Sequence, residues 1–339
     1  MVALFRWLDP VRRFGKQASR VVRLGRRRVV LVAAVAALVG HVGDHAPVAS
    51  AAPHKPRAWF DAKGAFVFPL GDGPLPMSRD ALAEALTEGW RRNLRFPEGG
   101  EIVSTEGGRY PAIGSLNMRL GGGIDRDDEV KEKKHKTPLH PSGKVEARVA
   151  VRNFDLDARP LIFDKAKLDI HISATDARLD MEHDDHGRAM VMLADANDAT
   201  LQVEATNEDV ERMLIQDLNE AVHSYGVYVR KATLKLSAVD DRAIDVDLHL
   251  STRVAYVPAG LHFQAHVDID SQMNARLSHL KCDGDEAIGP LIMSLVRPGM
   301  AKYEGKSRPV FSFPTGQLQL RDVKIQGGEN IKIAAHFAR

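Results

Sequence analysis

Residues 244–269 read IDVDLHLSTRVAYVPAGLHFQAHVDI, and their pattern is the clearest structural signal in the sequence. Apolar side chains take alternate positions through most of its two arms, which is typical of strands with one buried and one solvated face. Between the arms, residues 257–260 (VPAG) place Pro and Gly where a type I turn prefers them. The sequence therefore predicts a long β-hairpin, in which this turn sets Tyr256 opposite Leu261 and Leu250 opposite Val267.

Three histidines, His249, His262 and His266, fall on the polar face of this predicted hairpin. Neighbouring outward histidines can bind zinc. In the predicted register, however, His249 faces Asp268 and His266 faces Ser251, so the three rings are spread along the strands. The segment 182–187 (EHDDHG) also carries ligand-type side chains, but its composition is typical of a polar hairpin tip ending in Gly. We therefore predict no metal site and no cofactor.

The same two-residue period recurs along most of the chain after Lys144. It predicts strands at residues 144–156, 166–181, 188–195 and 199–205, and closing strands near 317–325 and 330–337. A short apolar run at residues 65–68 could be a further strand. Long alternating strands of this kind have one wet face.

Three segments have the apolar spacing of amphipathic helices. The first follows Ser78, a suitable cap, and ends before Pro97, with the stripe Leu82, Leu86 and Trp90. The second starts at Thr206, where Asp209 is placed for a variant capping box, and carries Met213, Leu214, Leu218 and Val222. The third starts near Asp285, ends at Pro298 and carries the stripe Ile288, Leu291, Ile292, Leu295 and Val296.

Long antiparallel strands with helices on one face predict an α+β fold, and a sheet that curls around its helices would enclose an elongated apolar groove. Residues 77–339 are predicted as one domain, entered through a Pro- and Gly-rich linker at 52–76. Within it, residues 97–143 are rich in Gly and charge, which indicates a mobile insertion containing one strand.

The first 51 residues have the pattern of a targeting segment. A basic region precedes an apolar stretch from Val29 to Val42, and Ala49-Ser50-Ala51 fits a cleavage site. The apolar stretch is shorter than the ~20 residues that span a bilayer, which favours cleavage over retention of residues 29–43 as a membrane anchor. We therefore expect a signal peptide and an exported protein, periplasmic or otherwise associated with the cell envelope.

Charge and motif content exclude several functional classes. Residues 1–51 hold nine Arg or Lys, and the rest of the chain has 38 basic and 43 acidic residues, a net charge of −5. This balance argues against nucleic acid as a partner. The single cysteine, Cys282, excludes an intramolecular disulfide. Because no G-x-S-x-G, H-E-x-x-H or P-loop motif occurs, we expect no enzymatic activity.

Three stretches have a distinctive pattern: the predicted helix from Thr206 to Ser224 running into Gly226-Val227-Tyr228-Val229, the predicted apolar helix from Ile288 to Val296, and residues 313–320 (FPTGQLQL) followed by Gly327-Gly328. In this order they resemble the LmeA-like phospholipid-binding proteins of bacteria, which belong to the tubular lipid-binding (TULIP-like) superfamily. The resemblance covers residues 200–339. It implies a curved sheet wrapped on long helices that holds acyl chains and needs no cofactor.

The resemblance implies a non-enzymatic phospholipid-binding or lipid-transfer protein that works at a membrane surface. The apolar positions of the three helices are the candidate groove residues. Burial of acyl chains needs only branched and flexible apolar side chains, since each buried methylene contributes about 0.8 kcal/mol. The alternative is an exported β-rich module that binds an envelope protein or a glycan; the 6% aromatic content disfavours a sugar platform.

Overall fold

The computed structural model describes residues 66–70, 73–97, 99–125, 139, 141–163, 165–184, 186–222, 227–254, 257–285, 304–309, 313 and 317–339. In these residues the protein is mostly β-structure, with two sheets and two helices. The predicted α+β class is confirmed in this broad sense.

The larger of the two sheets contains eleven strands in the described residues and does not close on itself. Seven of them form a path in the order β15, β16, β9, β7, β6, β4, β3, while β1, β2, β5 and β8 join at its sides. Numbered in chain order, the strands are β1 (Val67–Pro69), β2 (Leu94–Arg95), β3 (Val103–Arg109), β4 (Ala112–Arg119), β5 (Ile124–Asp125), β6 (Ala147–Phe163), β7 (Ala166–His183), β8 (Ala189–Asp195), β9 (Asp198–Thr206), β15 (Gln319–Gln326) and β16 (Asn330–Ala338). The strands predicted from the two-residue period are all present.

The large sheet is mixed, because β4 and β5 pair with β6 in parallel. The prediction of a purely antiparallel sheet is wrong at this point. So is the prediction of a single strand in residues 97–143, where the structure has β3, β4 and β5. Six apolar side chains of this segment are buried in the large core cluster, and their burial ties the segment to the sheet: Ile102, Val103, Ile113, Leu116, Met118 and Leu120. The charged run at residues 126–138 lies outside the described residues.

The smaller sheet is antiparallel in the order of the chain: β10 (Val227–Ala238), β11 (Ala243–Val254), β12 (Val257–Ile269), β13 (Asn274–Asp285) and β14 (Ser307–Pro309). It contains the hairpin predicted from residues 244–269, but the register differs. Leu250 pairs with Leu261, and Ile244 pairs with Val267. Both registers keep the apolar residues on one face, because they differ by an even number of residues. The VPAG segment belongs to β12 and does not form the turn.

Two helices pack on these sheets, and their N-termini are as predicted. Helix α1 (Arg79–Asn93) begins after Ser78, whose Oγ accepts a hydrogen bond from the Ala81 N–H at 3.1 Å. Helix α2 (Asn207–Val222) begins after Thr206, whose Oγ1 accepts from the Asp209 N–H and donates to the Asp209 carboxylate. These bonds satisfy amide groups that the first turn of a helix leaves without partners.

The predicted third helix, with Ile288, Leu291, Ile292, Leu295 and Val296, lies outside the described residues. Neither described helix is long and apolar enough to cross a membrane. One large cluster of buried apolar side chains joins α1, α2 and the inner faces of both sheets. A small separate cluster contains Val67, Leu139, Met190 and Met192.

Candidate functional site

Helix α2 lies where the two sheets meet, in contact with β10 of the small sheet and with β7 and β9 of the large sheet. Two side chains fix it against β10. Asn219 donates to the Val229 carbonyl at 2.8 Å and accepts from the Val229 N–H at 2.7 Å. Glu211 accepts from the Leu234 N–H at 2.7 Å. These bonds satisfy main-chain groups of an edge strand and thereby hold the helix in one orientation.

The predicted groove residues of α2 lie on the buried side of the helix. Met213, Leu214 and Leu218 are 5%, 1% and 5% exposed. Val222 belongs to the last turn of α2, and its side chain lies outside the described residues. The stripe predicted from the sequence is therefore apolar and buried in its three described members.

The predicted groove residues of α1 are also buried. Leu82, Leu86 and Trp90 are fully buried. The Trp90 ring lies 6.0 Å from that of Phe68, between ring centroids, and Phe68 in turn contacts Phe154 of β6. The stripe of α1 thus packs beside aromatic residues of the large sheet, and it belongs to the same apolar cluster as the stripe of α2.

The inner face of the small sheet continues this apolar surface. Four inward positions of β11 and six of β12 are apolar and buried: Ile244, Val246, Leu248, Leu250, Ala259, Leu261, Phe263, Ala265, Val267 and Ile269. Together with Leu234 and Leu236 of β10, they extend from the strand beside α2 across the sheet. The candidate site is this face and the stripe of α2.

The outer face of the small sheet carries the three histidines, and the observed register changes their relationship. His249 pairs directly with His262, and their rings stack with centroids 3.9 Å apart and planes 12° from parallel. The Nε2 atoms of both rings lie 3.0 Å from the same oxygen, Oδ1 of Asp247. The prediction that the histidines are spread along the strands is wrong for this pair.

Asp247 was not among the ligand-type residues predicted on this face from the sequence. It precedes His249 by two residues, so both side chains lie on the same strand face. That spacing is visible in the sequence, but the approach of His262 depends on the register. Burial opposes ionisation of Asp247, yet hydrogen bonds from Gln264 and His262 outweigh it and lower the pKa of the carboxyl group.

The other cluster of ligand-type side chains, at the turn between β7 and β8, is held by its own bonds. Asp184 accepts from the N–H groups of His186 and Arg188 and pairs with the Arg188 guanidinium at 2.5 Å. His183 instead contacts Glu146 at 3.0 Å. Burial raises the pKa of the neighbouring Glu182. Because His183 and Asp184 are engaged with different partners, the described residues of this turn do not form a ligand set.

Comparison of the chain with family models, curated proteins and solved structures gave no match.

Proposed function

We propose that this protein is an exported, non-enzymatic lipid-binding or lipid-transfer protein of the cell envelope, which holds the acyl chains of a phospholipid against the inner face of the small sheet. The observation that carries the proposal is the continuous apolar surface formed by α2 and the inward side chains of β10, β11 and β12. Residues 1–51 supply the export signal, and the ligand is exchanged at a membrane surface.

The length of the strands suits such a ligand. Strands β10 to β13 have 12 or 13 residues each, about twice the usual five or six. Twelve residues of strand extend about 40 Å, whereas one leaflet occupies about half of the ~30 Å hydrocarbon core of a bilayer. The inner face is therefore long enough for a phospholipid to lie along it.

Irregularities in the strands support a sheet that curves around its ligand, as in the tubular lipid-binding proteins that the sequence resembles. The register shifts between Val229 and Lys231 of β10, and again in the pairing of β12 with β13, where residues 279 and 280 of β13 lie opposite the single residue 265 of β12. A bulge bends its strand and increases the local twist. In this proposal, the helix predicted at residues 288–296 adds its apolar stripe to the lining.

The energetics require no catalytic group. Each methylene that leaves water for an apolar surface contributes about 0.8 kcal/mol. Met213 beside Leu214 and Leu218 adds an unbranched, flexible side chain that can adapt to chains of different shape. The binding energy of a two-chain lipid is thus supplied by burial alone.

The proposal is tested by titrating a fluorescent phospholipid into the purified protein and two tryptophan variants. Leu218→Trp puts a larger ring into the buried stripe of α2, while Arg230→Trp adds the same ring at an exposed position of β10. We expect saturable binding by the wild type and by Arg230→Trp, and at least about tenfold weaker binding by Leu218→Trp.

Circular dichroism shows whether each variant is folded, and Leu218→Phe replaces Leu218→Trp if the larger ring prevents folding. Saturable binding that is equal in the wild type and in a folded Leu218 variant would place the lipid elsewhere. Absence of binding by the wild type would favour the protein-binding or glycan-binding module.

A further inference from the structure

Asp247, His249 and His262 form a compact group on the outer face of the small sheet, opposite the face proposed to hold lipid. One ligand atom from each residue lies within 4.8 Å of the others. The three residues come from two paired strands: Asp247 and His249 from β11, and His262 directly across from His249 on β12. Because all three residues lie on regular strands, their Cα atoms are held more precisely than they would be in a loop.

The spacing of the ligand atoms is close to that around a bound ion. Zinc bonds to histidine nitrogen and carboxylate oxygen are about 2.0–2.2 Å long, which places tetrahedral ligand atoms about 3.3 Å apart. The Nε2 atoms of His249 and His262 are each 3.0 Å from Oδ1 of Asp247. These two of the three distances between ligand atoms therefore differ by only about 0.3 Å from those around a tetrahedral zinc ion.

A neighbouring side chain orients the carboxylate. Gln264 donates from Nε2 to the other carboxylate oxygen, Oδ2 of Asp247, at 3.1 Å. Because Oδ2 is engaged, Oδ1 is the oxygen turned to both rings. Hydrogen bonds of this kind to a ligating carboxylate fix its direction and contribute to metal affinity.

We propose that Asp247, His249 and His262 bind a divalent transition-metal ion, with zinc the best fit to two imidazoles and one carboxylate. Water completes the coordination, since the site faces solvent. An ion lies in the plane of each imidazole that binds it, so the two stacked rings must tilt toward each other on binding. The side chain of His249 is 57% exposed and has room for this movement. The site is independent of the proposed lipid surface.

The test uses the full-length protein after treatment with a chelator. ZnCl2 is titrated by calorimetry, and CoCl2 is titrated while the visible absorption of the bound cobalt is recorded. We expect one equivalent of either ion to bind. His249→Ala, His262→Ala and Asp247→Asn should each weaken binding by at least about 100-fold, and Gln264→Ala by about tenfold.

The matched control is His266→Ala. His266 lies on the same face of β12, but it contacts Asp245 and Asp268, and its loss should leave the affinity unchanged. His249→Asn keeps a polar side chain if His249→Ala is not folded by circular dichroism. The proposal is overturned if the wild type binds neither ion, or if folded His249 variants bind as tightly as the wild type.

Discussion

Gly89 of α1 lies so close to Pro69 of β1 that a Cβ atom at residue 89 would be 2.0 Å from the Pro69 carbonyl oxygen. Helix propensity alone would favour alanine by about 1 kcal/mol. The overlap is with backbone, which cannot rotate away, so we expect Gly89→Ala to lower the free energy of unfolding by about 1–3 kcal/mol. Urea denaturation of the wild type and the variant measures this difference. Gly99→Ala is the control, since no atom lies within 4 Å of its Cβ position; a Gly89→Ala protein more stable than the wild type would contradict the packing.

The N-terminus of α1 gives a smaller, specific effect. Ser78 accepts from the Ala81 N–H, so Ser78→Ala should lower the free energy of unfolding by about 1 kcal/mol. Ser78→Asp retains an acceptor and should recover most of this loss in the same denaturation experiment. Equal stability of the alanine and aspartate variants would show that the cap contributes nothing.

Asn219 joins α2 to β10 through both of its amide atoms. Asn219→Ala removes two hydrogen bonds, each worth about 1 kcal/mol, and should destabilise the protein by about 2 kcal/mol. Asn219→Asp keeps the acceptor for the Val229 N–H but turns a carboxylate oxygen toward the Val229 carbonyl, so it should be no more stable than the alanine variant. Thermal unfolding of the three proteins provides the comparison, and an alanine variant as stable as the wild type would argue against this pair of bonds.

His266 should make stability depend on pH. The hydrogen bond to Asp245 raises the pKa of His266 above its usual 6.5. Burial lowers this pKa, and the hydrogen bond to Asp268 raises it further. The ring of His279, from β13, lies 5.9 Å away. Because the pKa of His266 is higher in the folded than in the unfolded protein, its protonation stabilises the fold. This stabilisation is complete at pH values below the unfolded-state pKa of about 6.5, and it is lost as the pH rises through the folded-state pKa.

We therefore expect His266→Gln to lower the melting temperature more at about pH 5.5 than at about pH 8.5, with a chelator present throughout. Combining His266→Gln with Asp245→Asn should cost less than the sum of the two single changes, because both remove the same interaction. An equal loss at both pH values would contradict the assigned role of the ion pair.

Much of the fold follows from local patterns in the sequence. Strict alternation located the long strands, and Ser78 and Thr206 located the starts of both helices, because cap and strand signals depend on neighbours along the chain. Two long strands, β10 and β13, were missed, as were the short β2 and β14 and two of the three strands in residues 97–143. The alternation of Ala232, Leu234 and Leu236 marks β10, whereas the inward residues of β13 are fewer and more widely spaced.

The register of the hairpin could not be predicted, and the histidine site depends on it. Alternation fixes which face a residue occupies, but any shift by an even number of residues preserves that face. The prediction put His249 opposite Asp268, whereas the structure puts it opposite His262. The parallel pairing of β4 with β6 could not be predicted from the sequence either, because the two strands are far apart along the chain and local patterns do not indicate which strands pair.

The most direct test of the central proposal is native mass spectrometry of the protein purified from the envelope fraction of its host, followed by organic extraction and lipid identification. We expect a stoichiometric two-chain lipid that is lost from the folded Leu218→Trp protein and retained by Arg230→Trp. A stable, folded protein that carries no lipid and takes up none from vesicles would contradict it.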